Sequence, residues 1–255
     1  MESKSFDAKM RELEYFHSLR ILPGAWAIIR VDGRSFSRFT AERFEKPFDL
    51  KFHELMLTTT QALLDELSGI FAYTESDEIS ILLPADWSLF DRSVEKVVSI
   101  SASIASSQFS CAIGEPVTFD SRVWMGASKS QVGDYFSWRQ ADATRCALNG
   151  WCYWTLRKAG HSARKATSML DRQSVAFKNE LLFEHGINFN ELPLWQRRGT
   201  GMYWEEYEKI GYNPQKQIEV KTTRRRIKID KELPMKDEYR TLIRQIVDLH
   251  SIESA

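Results

Sequence analysis

Two aspartates stand where apolar runs break. The run Trp26-Ala-Ile-Ile-Arg-Val ends in Asp32-Gly33-Arg34, and Thr74-Glu75-Ser76-Asp77-Glu78 separates two further short runs. If the fold joins these breaks, Asp32 and Asp77 form a pair of carboxylates. Oxygen donors of this kind suit Mg²⁺, which accepts one or two carboxylates and keeps waters and phosphate oxygens as its other ligands. Two such ions can activate an attacking oxygen while neutralising charge on a leaving pyrophosphate. Gly33, lacking a side chain, lets backbone approach a metal or phosphate, and the amides of Arg34, Ser35 and Phe36 can receive phosphate oxygens. Lys46, just ahead of a helical run, supplies a cation beside accumulating charge. Singly, Asp-Gly and Ser-Asp are ordinary turn formers; it is their combination in one order that points to phosphoryl transfer.

The elements that must position them follow from periodicity. Trp26–Asp32 reads as a strand. Asp49–Ser68 has helical spacing, with Asp49 as N-cap and Gly69 as its stop. Ile70–Tyr73 and Ile79–Leu83 read as a hairpin with Ser76 and Asp77 in its turn. Phe90–Ser110 is helical and Val117–Trp124 a strand. The resulting βαββαβ order is that of a ferredoxin-like or polymerase-palm α+β fold, a layout shared by polymerases and nucleotidyl cyclases. Beyond it, Gln131–Ala159 predicts one long helix, followed by helices at Ser162–Asp171 and Ser174–His185. A hairpin of Thr200–Tyr207 and Gln217–Ile229 is separated by Gly211-Tyr-Asn-Pro214, and Lys236–His250 closes the chain as an amphipathic helix. This divides the chain into a catalytic palm at 1–130 and a helical and hairpin extension at 131–255, packed on it.

Composition narrows the classes. With 43% hydrophobic and 12% aromatic residues over 255 positions, the chain can bury a core. No apolar run reaches the roughly 20 residues of a membrane span, and the charged start lacks a signal-peptide core, which predicts a cytoplasmic protein. Cys111, Cys146 and Cys152 form no CxxC pair, arguing against a zinc site. With 35 basic and 35 acidic residues the net charge is zero, so contact with a nucleic acid would need local basic patches.

The wording of the motifs goes further. Arg30-Val-Asp-Gly-Arg-Ser-Phe36, Phe44-Glu-Lys-Pro47, Ser76-Asp-Glu78, Ser137-Trp-Arg-Gln-Ala-Asp142 and Lys178-Asn-Glu180 occur in an order that resembles the histidine-tRNA guanylyltransferase family, from about Phe6 to about Trp204. That family is similar in fold to polymerase palms but extends RNA at its 5′ end, first activating a 5′-monophosphate with ATP or GTP. The resemblance implies that Asp32, Asp77 and the Gly33 carbonyl hold two Mg²⁺ ions. It implies that Lys46 and Ser76 contact a nucleoside triphosphate with Asp49 near its base, and that Arg30, Lys96 and Arg122 bind a second triphosphate. Arg139, Asp142, Lys178, Asn179 and Glu180 become functionally important, where spacing alone makes Arg139 and Asp142 an i,i+3 surface pair. Glu78 joins the acids as catalytic or, by strand alternation, supports them from outside. The implied partner is the acceptor end of tRNA, bound by a homotetramer.

One stretch departs from the pattern. The family continues with His-Ile-Asn-Asn-Leu-Tyr-Asn, whereas this chain has Ala143 and then Thr144-Arg-Cys-Ala-Leu-Asn149-Gly150. The histidine position is Thr144 and the paired asparagines are Cys146 and Ala147, which resembles the branch that repairs truncated 5′ ends by template pairing. RNA backbone contacts are expected at Arg157, Lys158, His161, Arg164 and Lys165 and at Arg224, Arg225 and Arg226. Trp138, Trp151, Tyr153 and Trp154 have the spacing of a helix-packed core or subunit interface. Templated 3′-to-5′ addition therefore leads. Guanylyl addition to histidine tRNA, a nucleotidyl cyclase and a non-catalytic RNA-binding protein are the alternatives.

Overall fold

A computed structural model describes residues 5–213 and 218–250. In chain order these form α1 (Phe6–Leu13), β1 (Trp26–Gly33), α2 (Phe36–Arg43), α3 (Leu50–Glu66), β2 (Phe71–Glu75), β3 (Glu78–Leu83), α4 (Val94–Ile113), β4 (Phe119–Gly126) and α5 (Lys129–Lys158). There follow α6 (Ala163–Leu170), α7 (Val175–Glu184), α8 (Leu194–Arg198), β5 (Thr200–Asn213), β6 (Ile218–Asp230) and α9 (Lys236–Leu249). The strands make one antiparallel sheet in the order β4-β1-β3-β2-β5-β6. Its first four strands are the βαββαβ unit.

Both faces of the central strands are covered, which is why β1 and β3 read as continuous apolar runs instead of alternating. Ile29, Val31, Ala72, Ile79 and Ile81 pack with α3 and α4 on one face. Ile28, Phe71, Tyr73 and Leu82 pack with α5 and α9 on the other. The second half of α5 builds its own core with α6 and α7 around Leu148, Cys152, Leu156, Ala166 and Leu182. Helix starts follow local chemistry: Asp49, Ser128, Ser162 and Ser174 each accept a first-turn amide with their side chains.

Three expectations shift. The C-terminal hairpin joins the sheet by main-chain pairing of β5 with β2. Its first strand runs through Gly211 to Asn213, because cross-strand pairing with β6 continues to that point; Pro214 and Gln217 lie outside the described residues. The helix expected from Phe90 begins at Val94, since Phe90, Asp91 and Arg92 have positive φ and form a separate turn. The helix before β2 ends at Glu66 with Leu67 as cap, and Ser68 rather than Gly69 takes the left-handed conformation. Among the described residues no helix is long and apolar enough to cross a membrane.

Candidate active site

Asp32 and Asp77 meet at one end of the sheet. Asp32 lies in register with Glu78, and the Gly33 amide donates to the Asp77 carbonyl at 3.1 Å, tying the end of β1 to the β2–β3 turn. That turn is tight: Glu75 pairs directly with Glu78, and Ser76 bridges them with a φ of 49°, an uncommon conformation for a residue with a Cβ. The Ser76 hydroxyl donates to Asp77 Oδ1 at 3.1 Å. Burial, and then the charge of Asp32, push the Asp77 carboxyl up to about 6. Asp32 is raised too, first by burial and then by Asp120, against the lowering effect of Arg122 and Arg30. Two carboxyls raised by burial at one end of the sheet, Asp77 further by the charge of Asp32, are an electrostatic cost that a divalent cation between them would relieve. Among the described residues no three His, Cys, Asp or Glu side chains converge as a metal-holding group. The side-chain donors are therefore two carboxylates, which fit Mg²⁺ and do not fit zinc.

The residues after Asp32 divide their roles. A Cβ on Gly33 would sit 2.4 Å from the Phe36 ring, so the glycine is needed for close packing of that ring. The Arg34 amide, expected to receive phosphate, instead donates to the Thr118 carbonyl at 2.9 Å. Ser35 takes a left-handed φ of 62° at the start of α2. The Phe36 side chain is core, ringed by Phe39, Phe52, Phe109 and Phe119.

A cavity of about 540 Å³ opens beside this acidic end, within the usual size of a small-molecule site. Ser76, Asp77 and Lys46 line one part of it. Lys46 Nζ donates to the Thr40 hydroxyl at 2.6 Å. Burial lowers its pKa while Asp77 and Asp49 act to raise it. Asp49, expected near a base, has both oxygens engaged: they accept the Phe52 amide at 3.0 Å and the Glu45 amide at 2.9 Å. Burial works to raise this carboxyl, but its backbone hydrogen bonds outweigh burial and hold it below the usual range. Along α5 the cavity floor is Ala143, Cys146, Ala147 and Gly150, small side chains at helical spacing that leave the groove open.

Glu78 does not turn toward the aspartates. Arg139 grips both its oxygens, at 2.7 and 2.8 Å, and reaches Glu75 at 3.3 Å and Asp142 at 3.2 Å. Trp138, half exposed and not in the core, covers Arg139 at 4.6 Å and Arg30 at 5.6 Å. Arg139 is only 5% exposed, so the expected surface pair with Asp142 is part of a buried network, which Arg145 extends. Glu78 is thereby a positioning residue that fastens the hairpin to α5. Glu75, which no spacing rule singled out, is pushed up to about 8, chiefly by burial and then by Glu78.

The proposed second triphosphate contacts separate. Arg30 and Arg122 are in register on adjacent strands, and Arg122 pairs with Asp120 at 2.9 Å. Lys96 is exposed on α4, whose Ser101 meets Ser121 on the opposite face of β4, so the three are not brought together. On α7, Asn179 bonds the Val175 carbonyl and the Lys178 carbonyl accepts from Cys152, while Glu180 is exposed. Asn149 is exposed on α5. On the long hairpin, Arg226 pairs with Glu205 at 2.6 Å and Arg225 covers Trp204. Arg224 stands opposite Tyr207. The arginine run thus faces acids and rings on its own hairpin, which lessens the charge it presents.

Several cavity residues carried no motif. Phe48, His53, Trp195 and Gln196 line it beside Tyr153, Trp154 and Arg157. The last three were expected in a core or on RNA; only the Asp49 helix cap and the aromatic spacing of α5 hinted at their neighbourhood.

Residues 7–128 match the family model described as tRNAHis guanylyltransferase, and residues 130–247 match the Thg1 C terminal domain. The tRNA(His) guanylyltransferase of Debaryomyces hansenii is 33% identical over 224 residues, covering 82% of this chain and 84% of that one. Among solved structures, a bacterial tRNA(His) guanylyltransferase (Thg1)-like protein in complex with ATP superposes with a TM-score of 0.75. It is 27% identical over 95% of this chain and 99% of that one. Its complex with GTP gives a TM-score of 0.72 at the same identity, covering 96% and 99%.

Proposed function

The chain belongs to the tRNA(His) guanylyltransferase family of nucleotidyltransferases, and from that premise we propose that it adds nucleotides to the 5′ end of tRNA by template pairing. The observation that carries this is Asp77, close enough to Asp32 to feel its charge, lining a nucleotide-sized cavity together with Lys46. Asp32, Asp77 and the Gly33 carbonyl would hold magnesium, which when bound neutralises phosphate charge and activates an attacking oxygen. In the first step a 5′-phosphate oxygen attacks the α-phosphorus of ATP or GTP, and pyrophosphate leaves. In the second the 3′-hydroxyl of an incoming nucleotide attacks the activated 5′-phosphate, and the nucleoside monophosphate leaves. Lys46 stabilises charge on the triphosphate, Ser76 orients Asp77, and Arg139 with Glu78 fixes the hairpin.

Two features support templating over fixed guanylyl addition. Thr144, Cys146 and Ala147 stand where the family carries histidine and asparagines. The chain also aligns along nearly its full length with the bacterial like-protein. Guanylyl addition to tRNA(His), the activity named for the curated relatives, is the second reading. Assembly into a homotetramer belongs to the same proposal; the exposed apolar residues Phe6, Leu13, Tyr15 and Phe16 supply a surface for it.

The test offers a tRNA lacking its first nucleotide, with all four nucleoside triphosphates and Mg²⁺. Incorporation of whichever nucleotide pairs with the opposite strand supports repair. Addition of G alone to intact histidine tRNA establishes the second reading in its place.

A further inference from the structure

Part of the cavity lining is aromatic. There His53, only 8% exposed, stacks on Trp195 with ring centroids 4.1 Å apart, and Phe48 meets the same indole edge-on at 5.7 Å. The result is an aromatic wall of which every member lines the cavity. Three polar atoms of cavity-lining residues are buried with no hydrogen-bond partner: His53 Nε2, Gln196 Oε1 and Arg157 Nε. Such groups are costly to leave unpaired and seldom are. Two of them, the ring nitrogen and the amide oxygen, belong to the aromatic wall's own neighbourhood, since His53 stacks on Trp195 and Gln196 follows it in the chain.

We infer that His53 and Gln196 form a base-reading end of the cavity, which recognises the heterocycle of a nucleotide whose phosphates lie at Asp77 and Lys46. This rests on the reading of the cavity as a nucleotide site and adds the residues that set base preference. A nucleobase is the ligand chemistry that matches: a flat ring for the aromatic wall and a rim of donors and acceptors for the orphaned atoms. A charged ligand group is a poorer match. Burial pulls His53 down to about 4, with Lys231 adding to the effect and Glu54 opposing it, so at neutral pH its ring nitrogens offer one donor and one acceptor without charge. The α5 part of the lining consists of the small side chains Ala143, Cys146 and Ala147 with Gly150.

The heterocycle could come from a free triphosphate or from an RNA end, and titration without RNA separates these. Mg-ATP, Mg-GTP and Mg-tripolyphosphate are titrated calorimetrically into the wild type, His53→Phe and Gln196→Leu. The phenylalanine keeps the stack on Trp195 and removes the ring nitrogens. The wild type should bind nucleotides more tightly than tripolyphosphate. Each variant should lose about ten-fold in nucleotide affinity while tripolyphosphate affinity holds. Gln196→Glu should alter the ratio of ATP to GTP affinity. Unchanged nucleotide affinity in both deletions, or an equal loss for tripolyphosphate, overturns the inference and leaves the phosphate site standing. A base contribution that appears only when the heterocycle is part of an RNA overturns it as well, in favour of an RNA-end subsite. A wild type that binds none of the three ligands overturns the nucleotide reading itself, and this inference with it.

Discussion

Gly150 offers a perturbation whose effects on stability and function should have opposite signs. It lies inside α5, where glycine costs a helix about 0.5–1 kcal/mol relative to alanine, yet nothing fills the space beside it. A Cβ built there meets no atom within 4 Å, and Gly150 lines the cavity. Gly150→Ala should therefore stabilise the protein by about 1 kcal/mol, a rise of about 2–4 °C in Tm for a chain of this size. One methyl group occupies little of a 540 Å³ cavity, so nucleotide binding should stay close to wild type. Gly150→Phe keeps most of the helical gain but places a ring where the nucleotide must lie. Forcing atoms into an occupied space costs up to about 3 kcal/mol, which corresponds to about a hundred-fold loss in affinity. Scanning calorimetry reads the first effect, and titration with Mg-ATP and Mg-GTP the second. A Gly150→Phe protein that binds both nucleotides like the wild type would refute the assignment of this cavity. A Gly150→Ala protein that melts earlier would refute the open space beside the helix.

Asp32→Asn and Asp77→Asn should each reduce nucleotidyl transfer at least 10²-fold while thermal stability holds or rises, because each removes a carboxylate charge that burial disfavours; full activity in either variant would dismiss the pair. His53 makes the fold acid-sensitive: with its pKa near 4 when folded and about 6.5 when unfolded, only the unfolded chain takes up its proton between those values. Stability from this residue is constant above pH 6.5 and falls by about 3 kcal/mol as the pH drops to 4; urea unfolding of His53→Phe should lose that part of the slope, and an unchanged slope would contradict the burial argument. Arg139→Met strands Glu75 and Glu78 and should cost about 3–5 kcal/mol, towards the lower end because Glu75 already titrates near 8 and can protonate. Arg139→Lys should recover only part of it, having lost the two-pronged grip on Glu78, and full recovery in urea denaturation would remove the need for that geometry.

The palm was legible because its physics is local. Strands covered on both faces read as unbroken apolar runs, and the turn chemistry at Asp32-Gly33 and Ser76-Asp77 marks where they stop. What could not be read were contacts set by side chains distant in sequence. Arg139 looked like a surface residue pairing with Asp142, because helical spacing says nothing of Glu75 and Glu78 arriving from the sheet. Lys96 looked equivalent to Arg30 and Arg122 as a cation, but basic character does not report which side of the sheet a helix covers. The run at Arg224–Arg226 looked unopposed until the hairpin register brought Glu205 and Glu206 across from it. The base end of the cavity was hidden for the same reason: His53 and Trp195 belong to separate helices that meet only in the fold.

The altered stretch after Asp142 connects these observations. Thr144, at the position of the family's histidine, bonds the Arg197 carbonyl at 2.8 Å and the Gln140 carbonyl at 3.1 Å. Its hydroxyl fastens α8 to α5, and α8 carries Trp195 and Gln196 to the cavity. Two residues on, Cys146 and Ala147 stand where asparagines would project amide groups and instead form part of the floor. The same turn of helix thus has fewer groups able to read a particular RNA, and more of its surface shapes the nucleotide pocket. On the proposed function, a protein built this way would recognise its nucleotide closely and its RNA by backbone and shape. Under those conditions the opposite strand is the remaining source of sequence information, which is why the departure from the family pattern favours templated addition.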